Sequence, residues 1–203
     1  MKRISLIFCI AILLSLSVGT FAQQRPANIK GTVQDGIYKN QVLGFEVRIP
    51  AGWYVASPEE QDAVLEAGQR DAKAAGVRVT NDDVINFVIS KKPLGATENP
   101  VIGLGLNKQS SELITPKMIA EATKLQFLSI PSYSLSDDIS YVTISNHQFA
   151  TFNLAVDPKT STQHVQSYIT MVKNYSLAFV FTYMNSDDLK LMRDAMKTIK
   201  FEK

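Results

Sequence analysis

The sequence predicts an α+β domain whose sheet is mainly antiparallel, with helices on one or both faces. Two observations carry this prediction. Most strand-like segments adjoin hairpin-like turns rather than helices, and only three segments combine helical spacing with recognisable start signals. A doubly wound parallel sheet would instead need a helix between nearly every pair of strands.

The first 22 residues have the layout of a secretory signal peptide. Lys2 and Arg3 precede an apolar run over residues 4–18, and small residues then lead to a cleavage site near Ala22. The alternative is an uncleaved membrane anchor, but the run of about 15 residues is shorter than the roughly 20 that span a bilayer. We therefore expect a periplasmic or secreted protein without an integral membrane span after cleavage.

Cysteine content and charge exclude several classes of site and partner. Cys9 is the only cysteine and lies inside the predicted signal, so the mature chain has no disulfide, thiolate nucleophile or cysteine metal ligand. Removing Lys2 and Arg3 from 21 basic and 19 acidic residues leaves equal numbers of both. Because no run of basic residues follows, nucleic acid is not an expected partner.

The mature chain divides into a lead-in and one domain. Residues 23–35 are largely polar and predict a flexible lead-in, and residues 36–203 predict a single domain. Strict alternation places Phe45, Val47 and Ile49 on one face of the first strand, with Glu46 and Arg48 on the other.

Two helices have proline at their first position. Ser57, Pro58 and Glu60 form a capping box for a helix that reaches about Ala75. The second helix begins at Thr115-Pro116. Its apolar positions at helical spacing are Met118, Ile119, Ala122 and Leu125.

The strands between and after these helices alternate in the same way. The apolar positions expected to share a face are Ile85, Phe87 and Ile89, then Ile102, Leu104 and Leu106, and finally Leu177, Phe179, Phe181 and Tyr183. Ser186 is predicted to cap a final helix, with Asp187 and Asp188 in its first turn. The buried stripe of that helix is expected at Leu189, Met192, Met196 and Ile199.

Catalytic and metal-binding patterns are not found. The mature chain's two histidines, His147 and His164, are expected in loops, and no Gly-x-Ser-x-Gly elbow presents a serine. The acidic pairs lack the spacing that wraps a calcium ion, and no histidine pair offers zinc ligands. We therefore expect no catalytic residues, no metal and no cofactor.

Aromatic residues give one candidate binding site. Most of them fall at core positions, but Trp53 and Tyr54 follow the turn Pro50-Ala51-Gly52 directly. The sequence suggests that these two line a groove at the sheet edge, where a small ligand could bind.

The segment from Gly36 to Trp53 reads GIYKN, then LGFEVRIPAGW after two residues. This pattern resembles the opening of PsbP-like domains, and the chain's end is similar too, with an aromatic hairpin, a polar cap and a closing helix. The resemblance covers about residues 36–203. It implies an α/β/α sandwich around an antiparallel sheet and a mostly non-enzymatic role as an extrinsic subunit, assembly factor or partner-binding module.

Three functional hypotheses follow. The first is a non-enzymatic extracytoplasmic binding or accessory protein that contacts another envelope protein. The second is a small-molecule or lipid carrier with a groove beside Trp53. The third is a small hydrolase whose site, including His147 or His164, is assembled from residues distant in sequence.

Overall fold

A computed structural model describes residues 29–74, 84–109, 113–128, 133–156 and 163–202. The predicted signal peptide, the start of the lead-in and the predicted end of the first helix near Ala75 lie outside these residues.

The described strands form two antiparallel sheets. A small sheet has the order β1 (Thr32–Gln34), β2 (Ile37–Asn40), β3 (Phe45–Arg48) and β12 (Lys200–Phe201). The large sheet contains β4 (Tyr54–Val55), β5 (Val84–Ser90), β6 (Val101–Lys108), β7 (Tyr133–Leu135), β8 (Ser140–Ile144), β9 (His147–Val156), β10 (His164–Val172) and β11 (Tyr175–Tyr183). Its order is β4-β5-β6-β11-β10-β9-β7, and β8 also pairs with β9. The predicted antiparallel α+β architecture is confirmed.

The two faces of the large sheet are covered differently. Helices α1 (Pro58–Ala74) and α2 (Pro116–Leu128) pack on one face, in two apolar clusters. The small sheet and α3 (Ser186–Met196) pack on the other face, around Phe179 and Phe181. The result is the α/β/α arrangement that the resemblance implied, with one outer layer shared between a helix and a small sheet.

A β-bulge corrects the predicted face of one strand. The register of β5 against β6 shifts between Ile85 and Phe87. Ile85 therefore packs under α1, whereas Phe87 and Ile89 pack toward the small sheet. The bulge presents the side chain of Asn86 to the small sheet, because the inserted residue interrupts the strict alternation.

The folded part begins earlier than the predicted lead-in allowed. Ile29 is buried in the main core and β1 starts at Thr32, so ordered structure begins inside the predicted lead-in of residues 23–35. A buried amide network holds this segment. Asn40 and Asn86 both donate to the Ile29 carbonyl, at 2.8 and 2.9 Å, and the Gly31 N–H donates to Asn86 Oδ1 at 3.0 Å.

The predicted capping box of α1 is confirmed. The Ser57 N–H donates to Glu60 Oε2 at 2.7 Å, and the Glu60 N–H donates to Ser57 Oγ at 3.3 Å. This reciprocal pairing satisfies two groups that the helix itself leaves without partners.

The expected apolar stripe of α2 is partly wrong. Ile119 is buried, but Met118 is 51% exposed and Leu125 68% exposed. The buried face consists of Ile119, Ala120, Thr123 and Phe127. Apolar spacing identified the helix, but it could not say which side meets the sheet because apolar residues occur on both sides.

The N-cap of α3 is Asn185, not Ser186. The Asn185 side chain accepts from the N–H groups of Asp187 and Asp188, at 3.1 and 2.9 Å. Asp188 is buried and forms an ion pair with Lys91 at 3.0 Å, so it joins the start of α3 to the loop after β5.

Asn185→Ala is expected to lower the free energy of unfolding by about 1 kcal/mol, because two helix-start N–H groups lose their acceptor. Ser186→Ala is the matched control and should change it by less than about 0.5 kcal/mol. Urea denaturation of both variants tests the assignment. A larger loss in Ser186→Ala than in Asn185→Ala would show that Ser186 is the cap.

Candidate functional site

A basic depression lies where the small sheet meets the end of α3. Its volume is about 290 Å³, and the side chains that matter for its chemistry are Arg48, Lys197, Lys200, Glu46, Thr198 and Ile37. We call this feature the basic depression.

Strand alternation places the sheet residues of the depression. On β3, Phe45 and Val47 are buried in the core, so Glu46 and Arg48 point to the opposite, outer face. Lys200 of β12 lies directly opposite Glu46, and Ile37 of β2 lies opposite Arg48. Directly opposed residues share a face, so these four side chains lie on the outer surface.

Hydrogen bonds of Thr198 hold the segment after α3 against β3. The Arg48 backbone N–H donates to Thr198 Oγ1 at 2.9 Å, and that hydroxyl donates to the Ala195 carbonyl at 2.7 Å. Ile199 follows and is buried at 2% exposure. Buried Ile199 and bonded Thr198 thus hold Lys197 and Lys200 at the rim of the depression.

Positive charge exceeds negative charge in the depression. Among the described residues that line it, Glu46 is the one carboxylate, and it pairs with Lys200 at 3.4 Å. Arg48 and Lys197 add two further positive charges to the lining. Lys197 contacts Asp194 at 2.8 Å just outside the lining, and Asp194 also accepts from Lys190 at 2.9 Å. Hydrogen bonds from Lys197 and Lys190 lower the pKa of Asp194 to about 2, so it stays ionised.

Within the described part of the chain, Lys197 and Lys200 each pair with a carboxylate, whereas the Arg48 guanidinium does not. Among the residues that the structure describes, it forms no hydrogen bond and no ion pair, and the side chain is exposed. A guanidinium carries five donors in a planar fork that matches a carboxylate or phosphate. The depression can therefore bind an anionic group through charge-assisted hydrogen bonds.

Trp53 and Tyr54 do not line this depression. Trp53 is half-buried and packs against the main core. The Tyr54 hydroxyl donates to the Glu60 carboxylate, at 2.6 Å from Oε2, which ties β4 to the capping box of α1. A groove beside these two aromatic residues stays a prediction from the sequence.

His147 and His164 are far apart. His164 is paired with Ala155 on β9, eight residues after His147, which places the two histidines roughly 25 Å apart along the strand. His147 stacks on Phe201 with ring centroids at 3.8 Å, and His164 stacks on Tyr183 at 5.4 Å. They cannot act in one site.

The carboxylates of the neighbouring residues Asp137 and Asp138 do not point to a common site. Asp137 accepts from the Asn153 side-chain amide at 2.7 Å, whereas Asp138 pairs with Lys124 of α2 at 3.1 Å. Within the described ranges no three metal-ligating side chains come together. In the same part of the chain, no helix has the length and apolar character needed to cross a membrane.

Sequence reasoning missed the basic depression. It placed Glu46 and Arg48 on the polar face of a strand, and it did not connect them with Lys197 and Lys200. The only indication in the sequence was that these charged residues are exposed. The sequence does not reveal that β12 pairs with β3, which brings them together.

No family model and no curated protein matches the sequence. Solved structures do match. Cyanobacterial PsbP (CyanoP) from Synechocystis sp. PCC 6803 is 11% identical with a TM-score of 0.53, over 91% of this chain and all of that one. A Bacteroides thetaiotaomicron VPI-5482 protein is 13% identical with a TM-score of 0.49, over 84% of this chain and 50% of that one.

LpqN of Mycobacterium tuberculosis, described as involved in cell envelope biogenesis, is 13% identical with a TM-score of 0.45, over 62% of this chain and 81% of that one. The likeness to CyanoP confirms a PsbP-like fold for this chain. At such identity it shows the fold alone.

Proposed function

We propose that this protein is a non-enzymatic extracytoplasmic accessory protein that binds another envelope protein through the basic depression. The observation that carries the proposal is the excess of cations there, above all the unpaired Arg48 guanidinium. Export rests on the predicted signal peptide, and the accessory role rests on the resemblance to PsbP-like domains.

The position of the depression supports protein contact. It lies on the outer face of the small sheet, where Arg48 and Lys200 are exposed and the buried residues of the same strands hold the backbone in place. Interfaces are enriched in arginine, and surface charge steers the encounter with a complementary partner. A rigid sheet surface with exposed cations can thus meet a partner without rearrangement.

Site-specific photocrosslinking in intact cells tests the proposal. The photoreactive residue p-benzoylphenylalanine replaces Ile37, which lines the depression, or Glu121, which is exposed on α2 across the large sheet. We expect irradiation to give a crosslinked product of one discrete mass from position 37 and none from position 121.

The two variants must accumulate equally and unfold at the same urea concentration as the parent protein. With that satisfied, equal products from both positions, or none from position 37, would contradict binding through this face.

A further inference from the structure

We propose that the basic depression binds an extended acidic segment of the partner, with carboxylates on alternate residues. This inference rests on the proposed function and adds the chemistry of the surface that the partner presents.

The lining of the basic depression carries a net positive charge. Arg48, Lys197 and Lys200 contribute three positive charges to the lining, and Glu46 contributes the single negative one. Asp194 lies beside Lys197 but is shared with Lys190, so it does not reverse this excess. A partner that covers the depression must bring negative charge, because buried cations without counter-charges are costly.

The charged side chains of the small sheet follow the spacing of an extended strand. Glu46 and Arg48 are two residues apart on one face of β3, about 7 Å along the strand. Lys200 lies opposite Glu46 on the neighbouring strand, so Lys200 and Arg48 are offset by the same two-residue step along the strands and by about 5 Å across them. An extended chain repeats its side chains on one face at this same interval, and the flexible, exposed Lys200 side chain spans the step across the strands, so alternate carboxylates reach both cations together.

The exposure of the lysine side chains favours an acidic peptide segment as the ligand over a single small anion. The side chains of Lys197 and Lys200 are 73% and 75% exposed, so they do not close around a single ion. Isolated exposed ion pairs contribute only about 0–1 kcal/mol each. A ligand therefore needs several carboxylates on one chain, where the later contacts form within the same complex.

Fluorescence anisotropy with a labelled peptide tests this inference. The peptide alternates Glu and Ser, and two others serve for comparison: one has Gln in place of Glu, and one groups the same Glu residues in a block. At an ionic strength of about 0.1 M, where the Debye length is about 10 Å, we expect binding of the alternating peptide. The block peptide should bind several-fold more weakly, and the Gln peptide should not bind.

Two charge variants and a matched control locate the binding. Arg48→Glu should weaken the alternating peptide about tenfold, because a pairing cation becomes a repelling anion. Arg70→Glu makes the same charge change on exposed α1 and should alter the affinity less than twofold. Glu46→Gln should tighten binding about two- to fivefold by releasing Lys200, a gain that misfolding cannot produce.

Three results would overturn the inference. If Arg48→Glu and Arg70→Glu weaken peptide binding equally, the peptide is attracted only by the net charge of the protein and not by the basic depression. Equal affinity of the alternating and block peptides would show that binding does not depend on carboxylates at alternate residues. Displacement of the peptide by inorganic phosphate, but not by chloride at the same ionic strength, would identify a small-anion site instead.

The crosslinking experiment separates this inference from the proposed function. A product from position 37 that persists when Arg48 is also changed to Glu would leave partner binding intact and contradict the acidic segment. Absence of that product from the otherwise unchanged protein would contradict the proposed function itself.

Discussion

Phe179→Ala is expected to lower the free energy of unfolding by about 3–5 kcal/mol, the usual range for deleting a fully buried phenylalanine ring. Phe179 is 1% exposed at the centre of the main core. Its ring lies 6.3 Å from that of Phe45 in the small sheet and 6.5 Å from those of Phe87 and Phe149 in the large sheet. Its loss opens a cavity between the two sheets.

Urea denaturation measures this effect, and hydrogen exchange locates it. The amides of β2 and β3 should exchange faster in Phe179→Ala than those of α2. Val180→Ala is the control, because Val180 is equally buried but packs beneath α2 on the other face. A loss below about 1 kcal/mol for Phe179→Ala would show that the two sheets do not depend on this contact.

Gly31→Ala is expected to cost about 2–4 kcal/mol, through steric overlap and the loss of buried hydrogen bonds. A Cβ atom at position 31 would overlap the Tyr38 ring and lie 2.5 Å from the Lys39 carbonyl oxygen, which is backbone and cannot move aside. The Gly31 N–H would then leave Asn86, and the Tyr38 hydroxyl and Asn86 side chain would lose part of their shared network.

Lys30→Ala is the neighbouring control. Lys30 is half-exposed and forms a surface ion pair with Asp62 at 3.0 Å, so its loss should cost less than about 1 kcal/mol. Protease treatment followed by mass spectrometry should show earlier cleavage near residues 29–34 in Gly31→Ala alone. Parent-like stability of Gly31→Ala would mean that residues 29–31 do not pack as described.

These two stability variants also bear on the depression. The small sheet carries Glu46 and Arg48, and both Phe179 and the buried amide network hold that sheet against the large one. Either variant should weaken partner binding only as far as it unfolds the protein. Arg48→Glu changes a side chain without a partner in the described structure, so it should weaken binding while stability is kept.

Local patterns in the sequence determined the elements whose stabilising contacts are close in sequence. The capping box of Ser57 and Glu60 spans one helical turn, and the hairpin of β10 and β11 closes through Lys173 and Asn174. Strict alternation identified the residues of β11 that share the face toward the small sheet, Leu177, Phe179 and Phe181, because successive side chains of a strand point to opposite faces. The antiparallel fold class follows from such hairpins.

Contacts between distant residues decided the rest. Ile29 and Gly31 are ordered by Asn86, more than fifty residues later, which only a bulge in β5 turns toward them. The side of α2 that meets the sheet was likewise a matter of packing. The cap of α3 is a local exception: the sequence pattern predicted Ser186, whereas the Asn185 side chain accepts from the N–H groups of Asp187 and Asp188.

The candidate site depends most on tertiary structure. Arg48 and Thr198 are 150 residues apart in sequence and are joined by one hydrogen bond, while Lys200 meets Glu46 only because β12 pairs with β3. Sequence determined that these residues are polar and exposed, since alternation and helix ends fix exposure locally. Strand pairing decided that their charges add up in one place, because electrostatic potential depends on distance in space and not along the chain.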